Sequence, residues 1–155
     1  MKRICHLICI VCTIILMSGC VSLKAPIIVQ KASLESYKYV YVMPTSGYIS
    51  GGSVYLGTKS VNPRDMISGI LMKEGYTILP EMRPELLDET IIVNYGESGR
   101  RNVLLGYTIE VTIQFISAKT NEMICTCAAE GFGETEADDI RKAIIRALGG
   151  LFSEK

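Results

Sequence analysis

The 155-residue chain has no tryptophan and a single histidine, His6. Because His6 lies in the first 19 residues, residues 20–155 contain no histidine at all. Without an imidazole, residues 20–155 exclude Ser-His-Asp and Cys-His catalysis in their usual forms, and also zinc and iron sites with histidine ligands. The sequence therefore predicts no catalytic residue and no metal site.

The chain also lacks an excess of charge of either sign. Lysine and arginine together number 16, and so do aspartate and glutamate. Once Lys2 and Arg3 are set aside, residues 20–155 keep 14 basic and 16 acidic side chains. Proteins that bind nucleic acid through phosphate contacts need a basic surface. The charge balance therefore predicts no nucleic-acid partner.

Phosphate-binding glycine motifs are missing as well. Residues 46–57 contain four glycines, but their spacing matches neither GxGxxG nor GxxxxGK[ST]. Together with Tyr48 and Tyr55, these glycines favour a hairpin or a mobile loop. No cofactor is predicted.

The N-terminus carries a short apolar run behind a basic start. Lys2 and Arg3 precede a stretch from Ile8 to Met17 that only Thr13 interrupts. A membrane-spanning helix needs about 20 apolar residues, so this run is too short to span. A basic start followed by a short apolar run is typical of a secretory signal peptide.

The run ends in Leu16-Met17-Ser18-Gly19-Cys20, which resembles the lipobox of bacterial lipoproteins, with Met17 where leucine is commoner. The resemblance implies cleavage before Cys20, a thioether lipid on Cys20 and acylation of the new N-terminus. The alternative is a plain secretory signal in which Cys20 is an ordinary residue. Because Val21 is not the aspartate associated with inner-membrane retention, the resemblance implies the periplasmic face of an outer membrane.

These features divide the chain into three parts. Residues 1–19 are predicted to be the signal peptide, and residues 20–36 a lipidated tether with one short edge strand at residues 26–29. Residues 37–155 are predicted to be a single domain. The expected partners are the membrane, through the lipid, and a protein or envelope polymer.

Hydrophobic periodicity predicts the elements of the domain. Residues 37–43 are rich in β-formers and end at Pro44, and residues 77–80 and 90–95 are two further strands. Asn62 and Pro63 predict the start of a helix that ends at Gly75. Residues 96–101 contain turn-forming residues and predict a loop.

The second half predicts a hairpin and a final helix. Residues 108–115 alternate with period 2, and after a turn at residues 119–122 a partner strand covers residues 123–129. Thr135 is the predicted start of the last helix. The fold class is therefore α+β, a two-layer sandwich of a mainly antiparallel sheet with two helices packed on one face.

This order of elements is similar to that of small uncharacterised lipoprotein domains of Gram-negative envelopes. The likeness covers residues 37–150 and depends on the strand 37–43, the helix end Glu74-Gly75-Tyr76, the strand Ile91 to Tyr95 and the turn at residues 118–122. It supports the fold and the envelope location, and it implies no catalytic residues.

Tyr48, Tyr55, Arg100 and Arg101 are the predicted binding-surface residues. The tyrosines flank the glycine-rich segment, where amphipathic rings suit a binding surface. The adjacent guanidiniums could bind a carboxylate or phosphate in a bidentate manner. The simpler interpretations are a half-buried sheet face for the tyrosines and a solvated loop for the arginines.

Two further groups of side chains leave alternatives open. Cys125 and Cys127 share one face of a strand and are best explained as small buried hydrophobes, with a redox or intermolecular role as the alternative. Glu97 or Glu134 could serve as acid or base in an envelope hydrolase that uses a carboxylate pair. The preferred interpretation is a non-enzymatic binding or scaffolding module.

Overall fold

A computed structural model describes residues 21–44, 49–51, 59–103 and 106–153. It has a six-stranded sheet with two helices packed against it, which confirms the predicted α+β class. In chain order the elements are β1 Ile27–Gln30, β2 Tyr39–Val42, β3 Ile49–Gly51, β4 Lys59–Val61, α1 Pro63–Lys73, β5 Thr77–Ile78, a 3₁₀ helix Pro84–Glu89, β6 Thr90–Val103, β7 Gly106–Ser117, β8 Met123–Gly131 and α2 Glu136–Phe152. Within these ranges, no helix is long and apolar enough to cross a bilayer.

The main sheet is mostly antiparallel and has the strand order β1-β8-β7-β6-β2-β5. The predicted hairpin is confirmed, because β7 pairs with β8 on one side and with β6 on the other. The exception to antiparallel pairing is β2, which pairs in parallel with both β5 and β6. The chain therefore reaches β5 through a β-α-β crossover over α1.

The core lies between this sheet and the two helices. Along β7, the four apolar residues of the predicted alternation are all buried, and the residues between them are only partly buried. The four are Ile109, Val111, Ile113 and Phe115. Strand β2 follows the same rule, with Val40 and Val42 buried and Tyr39 and Tyr41 half-buried.

Both helices begin as their sequences predict. The Asn62 side chain accepts a hydrogen bond from the Arg64 amide, and Thr135 accepts one from the Asp138 amide. Each of these contacts satisfies an amide that the first helical turn leaves without a partner. After α1 the chain turns at Gly75, whose φ of +95° suits a residue without a Cβ atom.

The loop predicted at residues 96–101 is wrong, because β6 continues through it to Val103. Strand β7 offers backbone partners along the whole length, as far as the pair Val103 and Gly106. The register shifts once, between Glu97 and Gly99, and this irregularity absorbs the turn-forming residues. Pairing with a neighbouring strand therefore outweighs the local preference for a turn.

Strand β1 lies within the segment predicted to be a tether. Ile27 to Gln30 pair with Ala128 to Cys125, so the predicted edge strand is present at the β8 edge of the sheet. Residues 59–61 and 49–51 form a separate two-stranded sheet in the glycine-rich region, and α2 contacts both of these strands. Tyr48 and Tyr55 lie outside the described residues.

Gly131 ends β8 directly beneath α2 and leaves no room for a side chain. A Cβ atom there would lie 1.8 Å from the Asp139 carbonyl oxygen and 2.6 Å from the Ala143 amide nitrogen. We expect Gly131→Ala to lower the free energy of unfolding by about 3 kcal/mol, because helix and strand backbones must separate. Gly96→Ala, in β6, is the matched control, because nothing lies within 4 Å of its Cβ position. Urea unfolding of both variants measures the difference, and equal stabilities would contradict the close approach.

Candidate functional site

Arg100 and Arg101 lie next to each other on β6 and therefore face opposite sides of the sheet. The structure does not bring them together into one anion site. Each guanidinium instead binds a carboxylate of the chain itself. Whether either also binds an external partner stays a prediction.

Arg100 lies on the helix side of the sheet. Its guanidinium donates to both carboxylate oxygens of Glu97 and to Glu136 in the first turn of α2, the last over 2.7 Å. Its Cζ atom is 5.2 Å from the centre of the Tyr107 ring, within the range of a cation-π contact. All of these groups are partly exposed, so the network positions the strand end more than it stabilises the fold.

Arg101 lies on the opposite side and binds Glu130, at the end of β8. Its Nε and Nη2 atoms donate to the two carboxylate oxygens over 2.8 and 2.7 Å, in bidentate geometry. Only 2% of the Glu130 side chain is exposed. Glu130 also accepts from the Lys24 amide over 3.1 Å, and the Lys24 Nζ atom lies 3.7 Å away.

Two arginines bind the backbone of the N-terminal segment around this carboxylate. Arg101 donates to the Ser22 carbonyl over 3.0 Å, and Arg146 of α2 donates to the Lys24 carbonyl over 2.7 Å. Arg146 also donates to the main-chain carbonyl of Glu130. We call these five residues, Ser22, Lys24, Arg101, Glu130 and Arg146, the Glu130 cluster.

The Arg101 guanidinium lowers the pKa of Glu130 to about 2, against the opposing effect of burial. The carboxylate is therefore ionised at neutral pH, and its charge is matched by donors from other parts of the chain. A buried carboxylate without such donors would be costly. A shallow cavity of about 150 Å³ adjoins the cluster. This cavity is smaller than the pockets that enclose drug-sized ligands.

The side of the sheet away from the helices carries polar side chains in rows. Register places Tyr41 opposite Ile92, Asn94 opposite Gln114, and Gln114 opposite Thr126. We call this surface the open sheet face and define it by six residues: Tyr39, Tyr41, Asn94, Thr112, Gln114 and Thr126. Beside it on β1, Ile27 and Val29 are 58% and 52% exposed. The tyrosines of β2 thus belong to a half-buried sheet face.

Cys125 and Cys127 are fully buried free thiols. Burial raises the pKa of Cys125 to about 11 and the pKa of Cys127 to about 12. Thiols that stay protonated are poor nucleophiles and metal ligands. The interpretation as two small buried hydrophobes is confirmed.

Of the two carboxylates in the hydrolase alternative, Glu97 is bound by Arg100 together with Glu136, and Glu134 lies in the segment between β8 and α2. A general acid must hold a proton near neutral pH, but the hydrogen bond from Arg100 lowers the pKa of Glu97. Burial raises the pKa of Asp139, whose side chain lies in the interior and accepts from the Gly133 amide. Across the described ranges, no three acidic, cysteine or histidine side chains lie together as a metal site would require.

The Glu130 cluster was not predicted from the sequence, although one signal pointed to it. Glu130 is the charged residue in the otherwise apolar or small sequence of β8, MICTCAAEG. A charge in such a strand requires a partner, because few glutamates are buried unpaired. The partners of the carboxylate are Arg101 and Lys24, and nothing in their spacing from Glu130 connects them.

No protein-family model matches the chain, and no curated protein matches it. Among solved structures, the chain is similar to a PelC dodecamer from Paraburkholderia phytofirmans, with 13% identity and a TM-score of 0.44 over 81% of this chain and 96% of that one. A PelC variant from the same organism matches at 12% identity and a TM-score of 0.46, over 84% and 98% of the two chains. Likeness at this level does not indicate a shared activity.

The lowered pKa of Glu130 makes the stability of the domain depend on pH. Its contribution is complete above the unfolded value near 4.5 and is lost as the pH falls towards 2. We expect the stability difference between the wild type and Glu130→Gln to shrink by about 2 to 3 kcal/mol over that interval. Glu81→Gln is the control, because Glu81 is exposed and lies just after the edge strand β5, away from the Glu130 cluster. Urea unfolding from pH 7 to pH 2 tests this, and a constant difference would contradict it.

Proposed function

We propose that the protein is a lipid-anchored cell-envelope protein, with the lipid on Cys20, and that its domain is a non-enzymatic binding or scaffolding module. The observation that carries the anchoring is the N-terminal sequence, with Lys2 and Arg3, a short apolar run and Ser18-Gly19-Cys20. The proposed location is the periplasmic face of an outer membrane, as lipoprotein sorting implies for Val21.

The contacts of the N-terminal segment support a working position close to a membrane. The Ser22 and Lys24 carbonyls accept from Arg101 and Arg146, so the folded part begins directly after the predicted lipid site. A lipid on Cys20 would therefore hold the folded domain close to the membrane surface.

The open sheet face supports a binding role and is the surface that we propose for the partner. Tyrosine rings combine apolar area with a hydroxyl, and the amides of Asn94 and Gln114 can both donate and accept hydrogen bonds. Polar side chains of this kind suit a protein surface or an extended envelope polymer. We propose one of these two classes of partner.

We expect Cys20→Ala to abolish both lipidation and cleavage after residue 19, because the thioether lipid would have no attachment site. Fractionation of cells, with incorporation of a labelled fatty acid, measures both effects. Ser22→Ala is the matched control, since its side chain plays no part in lipid attachment. A Cys20→Ala protein that remained cleaved and membrane-bound would contradict lipidation. Protease treatment of intact cells tests the location, because a periplasmic domain is protected.

The partner can be sought from the surface that we propose. A photoactivatable amino acid at Asn94, on the open sheet face, is expected to crosslink to a partner in native membranes. The same amino acid at Met72, which is 62% exposed on α1, is the control and should give no product. Mass spectrometry identifies the crosslinked species. Crosslinks from Met72 alone would contradict the open sheet face as the binding surface.

A further inference from the structure

We propose that the Glu130 cluster fixes the orientation of the domain on the membrane, with the Arg101 end of the sheet against the lipid headgroups and the β7–β8 turn pointing away. The partner of this end of the molecule is therefore the lipid surface itself. The inference rests on the proposed lipid on Cys20, and it adds a defined orientation to it.

The proposed lipid on Cys20 is a short distance from the folded domain. Ser22 is two residues from Cys20, and two residues of extended chain span at most about 7 Å. The Ser22 carbonyl accepts from Arg101 over 3.0 Å, so Arg101 cannot lie far from the lipid attachment point. The end of β6 must therefore lie close to the headgroups.

Several contacts, and not Ser22 alone, hold the N-terminal segment against the domain. Lys24 is bound through its amide by Glu130 and through its carbonyl by Arg146. Further along, Pro26 and Ile28 pack against α2 so closely that a Cβ atom at Gly150 would lie 3.2 and 3.1 Å from them. From Ser22 onwards, the chain moves with the domain.

The long strands of the sheet separate its two ends. Strand β7 starts at this end and runs for 12 residues to Ser117, which corresponds to about 40 Å at 3.3 Å per residue. The turn after β7 is therefore far from the lipid, and Asn102 and Lys119 mark the near and far ends. A domain fixed at one end of its long strands stands upright and leaves the open sheet face free.

The test measures how deep each end of the domain lies. The full-length lipidated protein is placed in vesicles of phosphatidylethanolamine and phosphatidylglycerol that contain a headgroup nitroxide quencher. A fluorescent probe is attached through Asn102→Cys or, as the matched control, through Lys119→Cys. Cys125 and Cys127 are buried and will not take up the label. We expect at least twofold stronger quenching at position 102 than at position 119.

A second pair of variants tests whether the cluster is the cause. Ten glycine and serine residues inserted between Val21 and Ser22 leave the cluster intact but add about 17 Å of flexible chain. We expect this insertion to remove most of the difference between the two probes. Arg101→Gln combined with Glu130→Gln should act in the same direction, since it releases Ser22 without leaving a buried charge unpaired. Should the double variant fail to fold, the insertion decides the question.

The outcomes separate the two proposals. A lipidated, membrane-bound protein with equal quenching at positions 102 and 119 would overturn the orientation and leave the lipid anchor in place. A difference that survives the insertion would also overturn it, because something other than the Glu130 cluster would then set the orientation. A protein without lipid on Cys20 would overturn the anchor and the orientation together.

Discussion

Glu130 joins four parts of the chain that are distant in sequence, through its buried carboxylate and through its main-chain carbonyl. Arg101 brings the end of β6, Arg146 brings α2, and Lys24 brings the N-terminal segment, while Glu130 itself lies on β8. A buried charge is tolerated only when its hydrogen-bonding capacity is satisfied. The contacts that satisfy this carboxylate also help to hold the N-terminal segment against the sheet.

The same contact depends on the continuation of β6 beyond its predicted end. Arg101 reaches Glu130 only if the strand continues past Glu97 in register with β7. The irregularity at Ser98 allows this, and the Ser98 hydroxyl donates to Glu110 on the neighbouring strand over 2.8 Å. Arg100, on the other side, ties the same strand end to α2 through Glu136. Arg100 therefore connects β6 to α2, and Arg101 connects β6 to β8 and to the N-terminal segment.

The two faces of the sheet differ in composition. The helix side is filled by the branched side chains of β2, β6 and β7, while the open sheet face carries hydroxyl, amide and phenol groups beside the apolar side chains of Ile92 and Ile116. Antiparallel sheets commonly keep one solvated face. That face is the surface that we propose for the partner, and its strands run away from the proposed membrane contact.

Regular local patterns allowed much of the fold to be predicted. The alternation in residues 108–115, the caps at Asn62 and Thr135 and the burial of Cys125 each depend on neighbours in sequence, and each is confirmed. The parallel pairing of β2 and the strand through residues 96–101 were not predictable, because backbone pairing involves partners far along the chain.

By itself, the sequence determined the fold class, the helix starts, the buried face of β7 and the expectation of a lipid on Cys20. Only the tertiary structure decided the roles of Arg100 and Arg101. These two arginines are adjacent in sequence, yet they bind carboxylates on opposite faces of the sheet. Local patterns record which side of an element is apolar. They do not record which distant carboxylate a guanidinium will meet, because Glu130 and Glu136 lie 29 and 36 residues away from the arginines that bind them.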